Sequence, residues 1–205
     1  MRLRDILFGK NATDYEDSSV RNFRVNETNY RVSDIFNDVA PSVFAAQAFG
    51  AGTEYNQIIA KSILDAKELF ERDVPIYVQT EIGDLLKYQG EKDYIAFGDV
   101  YEEGESAKMI SKVSTLDILK QVKEDLQDKN IGVENIAYFA HPGHIYRVME
   151  IGRKIGLKGG VFIPEEVVWP ENDAQQWVRN PKDWKKREFK ARCHHWLLGW
   201  VPREI

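Results

Sequence analysis

Residues 135–160, NIAYFAHPGHIYRVMEIGRKIGLKGG, read as a strand, a turn and a helix in direct succession. Ile136 to Ala140 form a short, unbroken apolar run, which is how a strand buried on both faces looks. Pro142 and Gly143 then turn the chain, and the apolar positions change period. Ile145, Val148, Met149, Gly152 and Ile155 recur every three or four residues, the spacing of one helix face, and glycines follow where a left-handed cap is wanted. GVFIP (residues 160–164) is the next strand. A strand, a helix and a second strand in this order pair in parallel through a right-handed crossover.

The alternation extends upstream. SVFAAQAFG (42–50) is another apolar run, closed by Gly50 and Gly52, and from Thr53 onward Ile59, Ile63, Ala66 and Phe70 take helical spacing until Asp73 and Pro75. PIYVQT (75–80) and DYIAFGDV (93–100) are two further strands. A helix opens at Ser114, an N-cap with Asp117 as its capping-box partner and Ile118, Val122 and Leu126 as its buried stripe. The pattern predicts an α/β fold, a three-layer Rossmann-like parallel sheet of about five strands with helices on both faces, too few units for a barrel. Residues 1–40 are polar and irregular, with a short helix in VSDIFNDV (32–39), and read as an extension packed on a single domain spanning 41–205. From Asp183 to Gly199 a terminal amphipathic helix places Phe189, Cys193, Trp196 and Trp200 on one face and Lys182, Lys186 and Lys190 on another, closing one side of the sheet.

Composition excludes several classes. The net charge of −5 argues against a nucleic-acid-binding domain, which is usually strongly basic. No apolar run approaches the roughly 20 residues of a membrane span, and Ile6 to Phe8 is too short for the core of a signal peptide. The single cysteine, Cys193, reads as a buried inert thiol and fits a reducing, cytoplasmic setting. Nothing in the chain signals an oligomeric state.

In open parallel sheets ligands bind beyond the carboxyl ends of the strands, so the residues there have first claim as a site. After the first strand, Gly50 and Gly52 allow close backbone approach to an anion, but Tyr55 stands where a dinucleotide fingerprint needs its third glycine; a plain tight turn explains them equally. After the second, Thr80, Glu81 and Gly83 form a polar rim loop or simply a solvated turn. The richest stretch is AHPGHIYR (140–147): His141 ends a strand, and His144 and Arg147 fall three apart on one face of the first helical turn. Arginine grips phosphate or carboxylate, and histidine donates a hydrogen bond or a proton near neutral pH. The competing reading makes His144 a cap and Arg147 an ion pair with Glu150. No carboxylate or thiol stands at ligand spacing beside His141 and His144, so no metal is expected, and His194 and His195 read as structural. A phosphate-binding P-loop and a nucleophile elbow are both missing from the sequence.

The order of these pieces, with SKVSTLDILKQVKEDLQDKNI (111–131) and the strand ending in His-x-x-Arg, resembles the YdcF-like family of envelope-associated proteins of SanA and ElyC type. The likeness runs over roughly residues 41–164. It sets Thr115 and Asp117 at the family's Thr and Glu, and His144 and Arg147 at its His and Arg. Gly83 alone remains of a glycine pair, Glu81 and Ile82 intervene, and Ile118 replaces an Asn. The resemblance implies a small-molecule pocket with S-adenosylmethionine or another nucleotide-like ligand. Together these readings predict a binding or catalytic domain for a small anionic molecule. His144 would be the acid or base, Asp117 would orient it, and Arg147 would be the anchor. The alternative is an interaction protein whose basic, Trp-rich C-terminus (Trp177, Trp184, Trp196, Trp200) meets a membrane surface or partner. A nicotinamide oxidoreductase is weakened by the broken glycine fingerprint.

Overall fold

The apolar runs become the strands of one sheet. In the computed structural model, which describes residues 20–50, 54–98 and 114–197, the strands are β1 (Val20–Val25), β2 (Thr28–Ser33), β3 (Val43–Ala46), β4 (Ile76–Gln79), β5 (Ile95–Phe97), β6 (Ile136–Phe139) and β7 (Gly159–Pro164). The helices are α1 (Ile35–Asp38), α2 (Glu54–Phe70), α3 (Thr80–Tyr88), α4 (Thr115–Asp128), α5 (Ile145–Lys154) and α6 (Pro181–Leu197), with a 3₁₀ turn at Gln176–Val178. The sheet order is β1-β2-β7-β6-β3-β4-β5. All neighbours from β7 to β5 pair in parallel, while β1 with β2 and β2 with β7 are antiparallel.

The expected sheet of five strands is therefore a sheet of seven, because residues 20–33 are a hairpin on its edge. Asn26 (φ 45°) and Glu27 (φ 66°) form the two-residue turn that brings Val25 opposite Thr28. Positive φ at both positions is the turn type whose twist matches antiparallel strands. The hairpin is inconspicuous in sequence because an edge pair buries one face only: Tyr30 and Val32 are in the core, while Arg24 and Asn29 are exposed.

Successive strand residues point to opposite faces, and the core divides accordingly. Phe44, Ala46, Ile76, Val78, Ala137, Phe139 and Phe162 pack with Ile59, Ile63 and Ala66 of α2 and Ile82 and Leu86 of α3. Val43, Ala45, Tyr77, Ile136, Tyr138 and Val161 pack with Leu119, Val122 and Leu126 of α4 and Val148 and Ile151 of α5. A buried carboxylate ties the hairpin to the first cluster. Asp65 of α2 accepts from the Tyr30 hydroxyl, the Lys61 ammonium and, at 3.0 Å, the Asn26 amide.

The chain winds outward from β3 through β4 to β5, then crosses back to build β6 and β7 on the other side of β3. The direction of winding thus reverses between β3 and β6. Instead of closing one side of the sheet, the chain after β7 returns over those ends. Trp169, Asp173, Val178 and Trp184 all reach the segment after β3 or β6. Among the described residues no helix is long and apolar enough to cross a membrane.

Candidate functional site

The β3–β6 pairing runs one residue past the strands, with the Gln47 N–H donating to the Phe139 carbonyl at 2.9 Å, and beyond it Phe49 and His141 stay in contact. A point where strand order reverses is where α/β sheets form a crevice for ligands. His141 lies just beyond this reversal, fully buried, its ring flat against Phe49 with centroids 3.7 Å apart and flanked by Tyr55 and Trp169. Its Nδ1 accepts the Gly143 N–H at 3.0 Å, so the proton of the neutral ring sits on Nε2. Nε2 itself has no partner of good geometry among the described residues, and neither has the buried Tyr55 hydroxyl. Burial pushes the His141 pKa down to about 3, the Val168 backbone opposing only weakly, so the ring is uncharged at neutral pH.

One turn further on, the structure brings three of the expected residues together and adds a fourth. His144 is the N-cap of α5, yet its side chain caps nothing; Nε2 lies 3.4 Å from the Thr115 hydroxyl and Nδ1 3.0 Å from Arg147 Nη2. A guanidinium only donates, so Nδ1 must carry a lone pair, and protonating it would break the contact. Arg147 Nε donates to both carboxylate oxygens of Glu188, at 3.2 and 3.1 Å. The ion pair is not with Glu150 but with α6, and both partners are largely covered, their side chains 14% and 12% exposed. Trp184, one turn before Glu188, donates its indole N–H to the Gly143 carbonyl at 3.0 Å and packs on Phe49 and His144.

The other expected site residues have different duties. Asp117 does not orient His144: its carboxylate accepts from the Ser114 N–H and hydroxyl at the start of α4, and those bonds hold its pKa below the usual range. The capping box read from sequence is thus present, and it fully explains Asp117. Thr80 and Glu81 do not lie on a loop, because α3 starts immediately after β4 and takes them into its first turn. Gly83 is a packing position: a Cβ there would stand 2.9 Å from the Tyr94 ring and 3.1 Å from Ala96. Gly50 (φ +81°) turns the chain at the end of β3, but what approaches it closely is Asp173, whose carboxylate a Cβ at Gly50 would meet at 2.4 Å. Gly52 lies outside the described residues, as does Trp200.

Phe49, Trp169, Asp173, Trp184 and Glu188 are the neighbours that sequence reading missed. The last four follow β7: Trp169 and Asp173 lie in an irregular polar stretch, while Trp184 and Glu188, at i, i+4, share a face of the terminal helix other than the one its apolar period marks. That stretch also places two of the four tryptophans of the interfacial reading, while the Trp196 side chain and Trp200 lie outside the described residues. Trp184 is buried, and Trp177 lies under the Arg187 guanidinium at 4.4 Å. Lys182, Lys186 and Lys190 are exposed. Among the described residues no group of three or more His, Cys, Asp or Glu is placed to hold a metal ion.

Fold and site together define an α/β protein with a mostly parallel sheet whose strand ends carry histidine and arginine and are covered by its own C-terminal segment. No protein-family model, curated protein or solved structure matches the chain.

Proposed function

We propose that this chain is a small-molecule-binding domain of YdcF-like type that holds an anionic or nucleotide-like ligand, S-adenosylmethionine-like or phosphorylated, at the carboxyl ends of β3 and β6. On this reading the fold is a three-layer Rossmann-like sheet extended by an edge hairpin, and the protein works in the cytoplasm in envelope-related metabolism. Arg147 anchors the ligand's negative charge. His144, with Nδ1 turned to Arg147, presents an Nε2–H donor toward Thr115, and His141 forms the uncharged floor.

The observation that carries this reading is the Arg147–Glu188 contact. The guanidinium beyond those strand ends already holds a carboxylate, so this position binds anions within the molecule itself. The winding reversal at the same place supports it. The resemblance of the β6–α5 segment to the family's His-x-x-Arg supports the ligand class.

A thermal-shift screen of nucleotides, S-adenosyl compounds, sugar phosphates and prenyl phosphates tests it. A ligand at a hundred times its dissociation constant should add about 2.7 kcal/mol of stability. Arg147→Gln and His144→Gln should each retain a cooperative transition and lose that gain. An equal gain in both variants would rule the site out.

A further inference from the structure

The strand ends are covered by the chain's own C-terminal segment, and the manner of covering is informative. Trp184 and Glu188 enter together from one face of α6. The indole lies against Phe49 and His144 and donates to the Gly143 carbonyl, and four residues on the carboxylate meets Arg147 Nε. The two side chains thereby use an aromatic surface, a backbone acceptor and a cationic donor of the site. Arg187 stands close by, and its guanidinium pKa is lowered by burial and by the Arg147 charge, with Glu188 opposing both. Glu188 is the carboxylate that Arg147 holds directly, and removing its charge would free the Arg147 Nε–H for another carboxylate.

We infer that the Trp184–Glu188 face of α6 is a built-in occupant of the site, and that the small molecule replacing it carries a carboxylate and a planar ring with an N–H donor. This inference rests on the proposed ligand site and adds to it both a ligand chemistry and a means of control. Any ligand must compete with an intramolecular partner, so apparent affinity is reduced by the fraction of molecules in which α6 is docked. The carboxylate is read from Glu188 itself, whose two oxygens share the Arg147 Nε–H side-on while Nη2 faces His144.

Isothermal titration calorimetry on the full chain tests this with three probes: indole-3-acetate, its neutral analogue indole-3-acetamide, and inorganic phosphate. Glu188→Gln keeps the side-chain shape and removes the charge. It should bind indole-3-acetate at least tenfold more tightly than the native chain and show no such gain for the amide or for phosphate. Adding Arg147→Gln should abolish the gain. If Glu188→Gln proves unfolded by circular dichroism, Trp184→Phe, which removes the indole donor and part of the buried ring, should show a gain of at least threefold for indole-3-acetate.

No gain in the variant that folds, or an equal gain for phosphate, would overturn the inference. If a nucleotide or S-adenosyl compound still binds the native chain in that case, the proposed site stands and only the built-in occupant falls. If no probe binds any variant, both fall.

Discussion

His141 shows how far burial alone changes a residue's chemistry. Histidine in an unfolded chain titrates near 6.5, but this ring, stacked on Phe49 and walled by Tyr55 and Trp169, titrates near 3. The unfolded chain therefore binds a proton below pH 6.5 that the folded chain refuses until about pH 3. The stabilising contribution is complete above the unfolded value and is lost as pH falls through this window. The slope from one such group is at most about 1.4 kcal/mol per pH unit. His141→Phe should flatten the acid side of the stability curve between pH 6 and about 3.5, read from urea unfolding at each pH. At pH 7.5 it should cost about 1–2 kcal/mol, because the Gly143 N–H loses its acceptor. Acid sensitivity identical to that of the native chain would mean that another group dominates.

At the scale of elements, α2 and the β1–β2 hairpin are joined by one carboxylate. Asp65 is 3% exposed and receives donors from Tyr30 and Asn26 of the hairpin and Lys61 of its own helix. Burial and the Asp65 carboxylate drive the Tyr30 phenol well above its ordinary pKa, so the hydroxyl stays a donor. Removing the acceptor takes the carboxylate from that buried hydroxyl and leaves only the Ser62 and Thr28 hydroxyls beside it. Asp65→Ala should therefore lower stability by on the order of 3 kcal/mol and speed hydrogen exchange of residues 20–33. Glu68→Ala, which removes the exposed second acceptor of Asn26, should cost under about 0.5 kcal/mol. Comparable losses in both would show that the hairpin is held by apolar packing and not by this carboxylate. Elements whose signals are local were legible from the residues alone. The Ser114–Asp117 capping box and the Ile118, Val122, Leu126 stripe of α4 lie where their spacing puts them, as does the switch of period at His144. The hairpin was not legible, because its buried partners stand 35 residues and more away along the chain.

At the scale of the whole molecule, the segment 165–197 decides what the sheet presents to solvent. Gly50 closes β3 with a backbone angle suited to glycine, and Asp173 packs against it while accepting the Gln175 N–H at 2.6 Å and offering its carbonyl to Arg179. Gly50→Ala combines a positive φ with a Cβ 2.4 Å from the Asp173 carboxylate, so the roof must lift if β3 is to keep its path. A loss of about 2 kcal/mol or more is expected. Amide exchange should accelerate in residues 165–180 and remain unchanged in β6 and α4. Acceleration spread evenly over the sheet would show that roof and sheet open as one unit and are not separable layers.

The sequence by itself determined the α/β class, the parallel core from Val43 onward and the candidate status of His141, His144 and Arg147. The reason is that strand runs, helical spacing and caps are all written within a few residues of one another. Tertiary structure alone decided the rest. It took Thr80 and Glu81 into a helix, added the hairpin to the sheet edge, and set Glu188 on Arg147 across 41 residues of chain. These outcomes depend on which faces are left uncovered once the sheet has formed. A polar stretch finds its place there by the few contacts it can complete, and no local pattern encodes them.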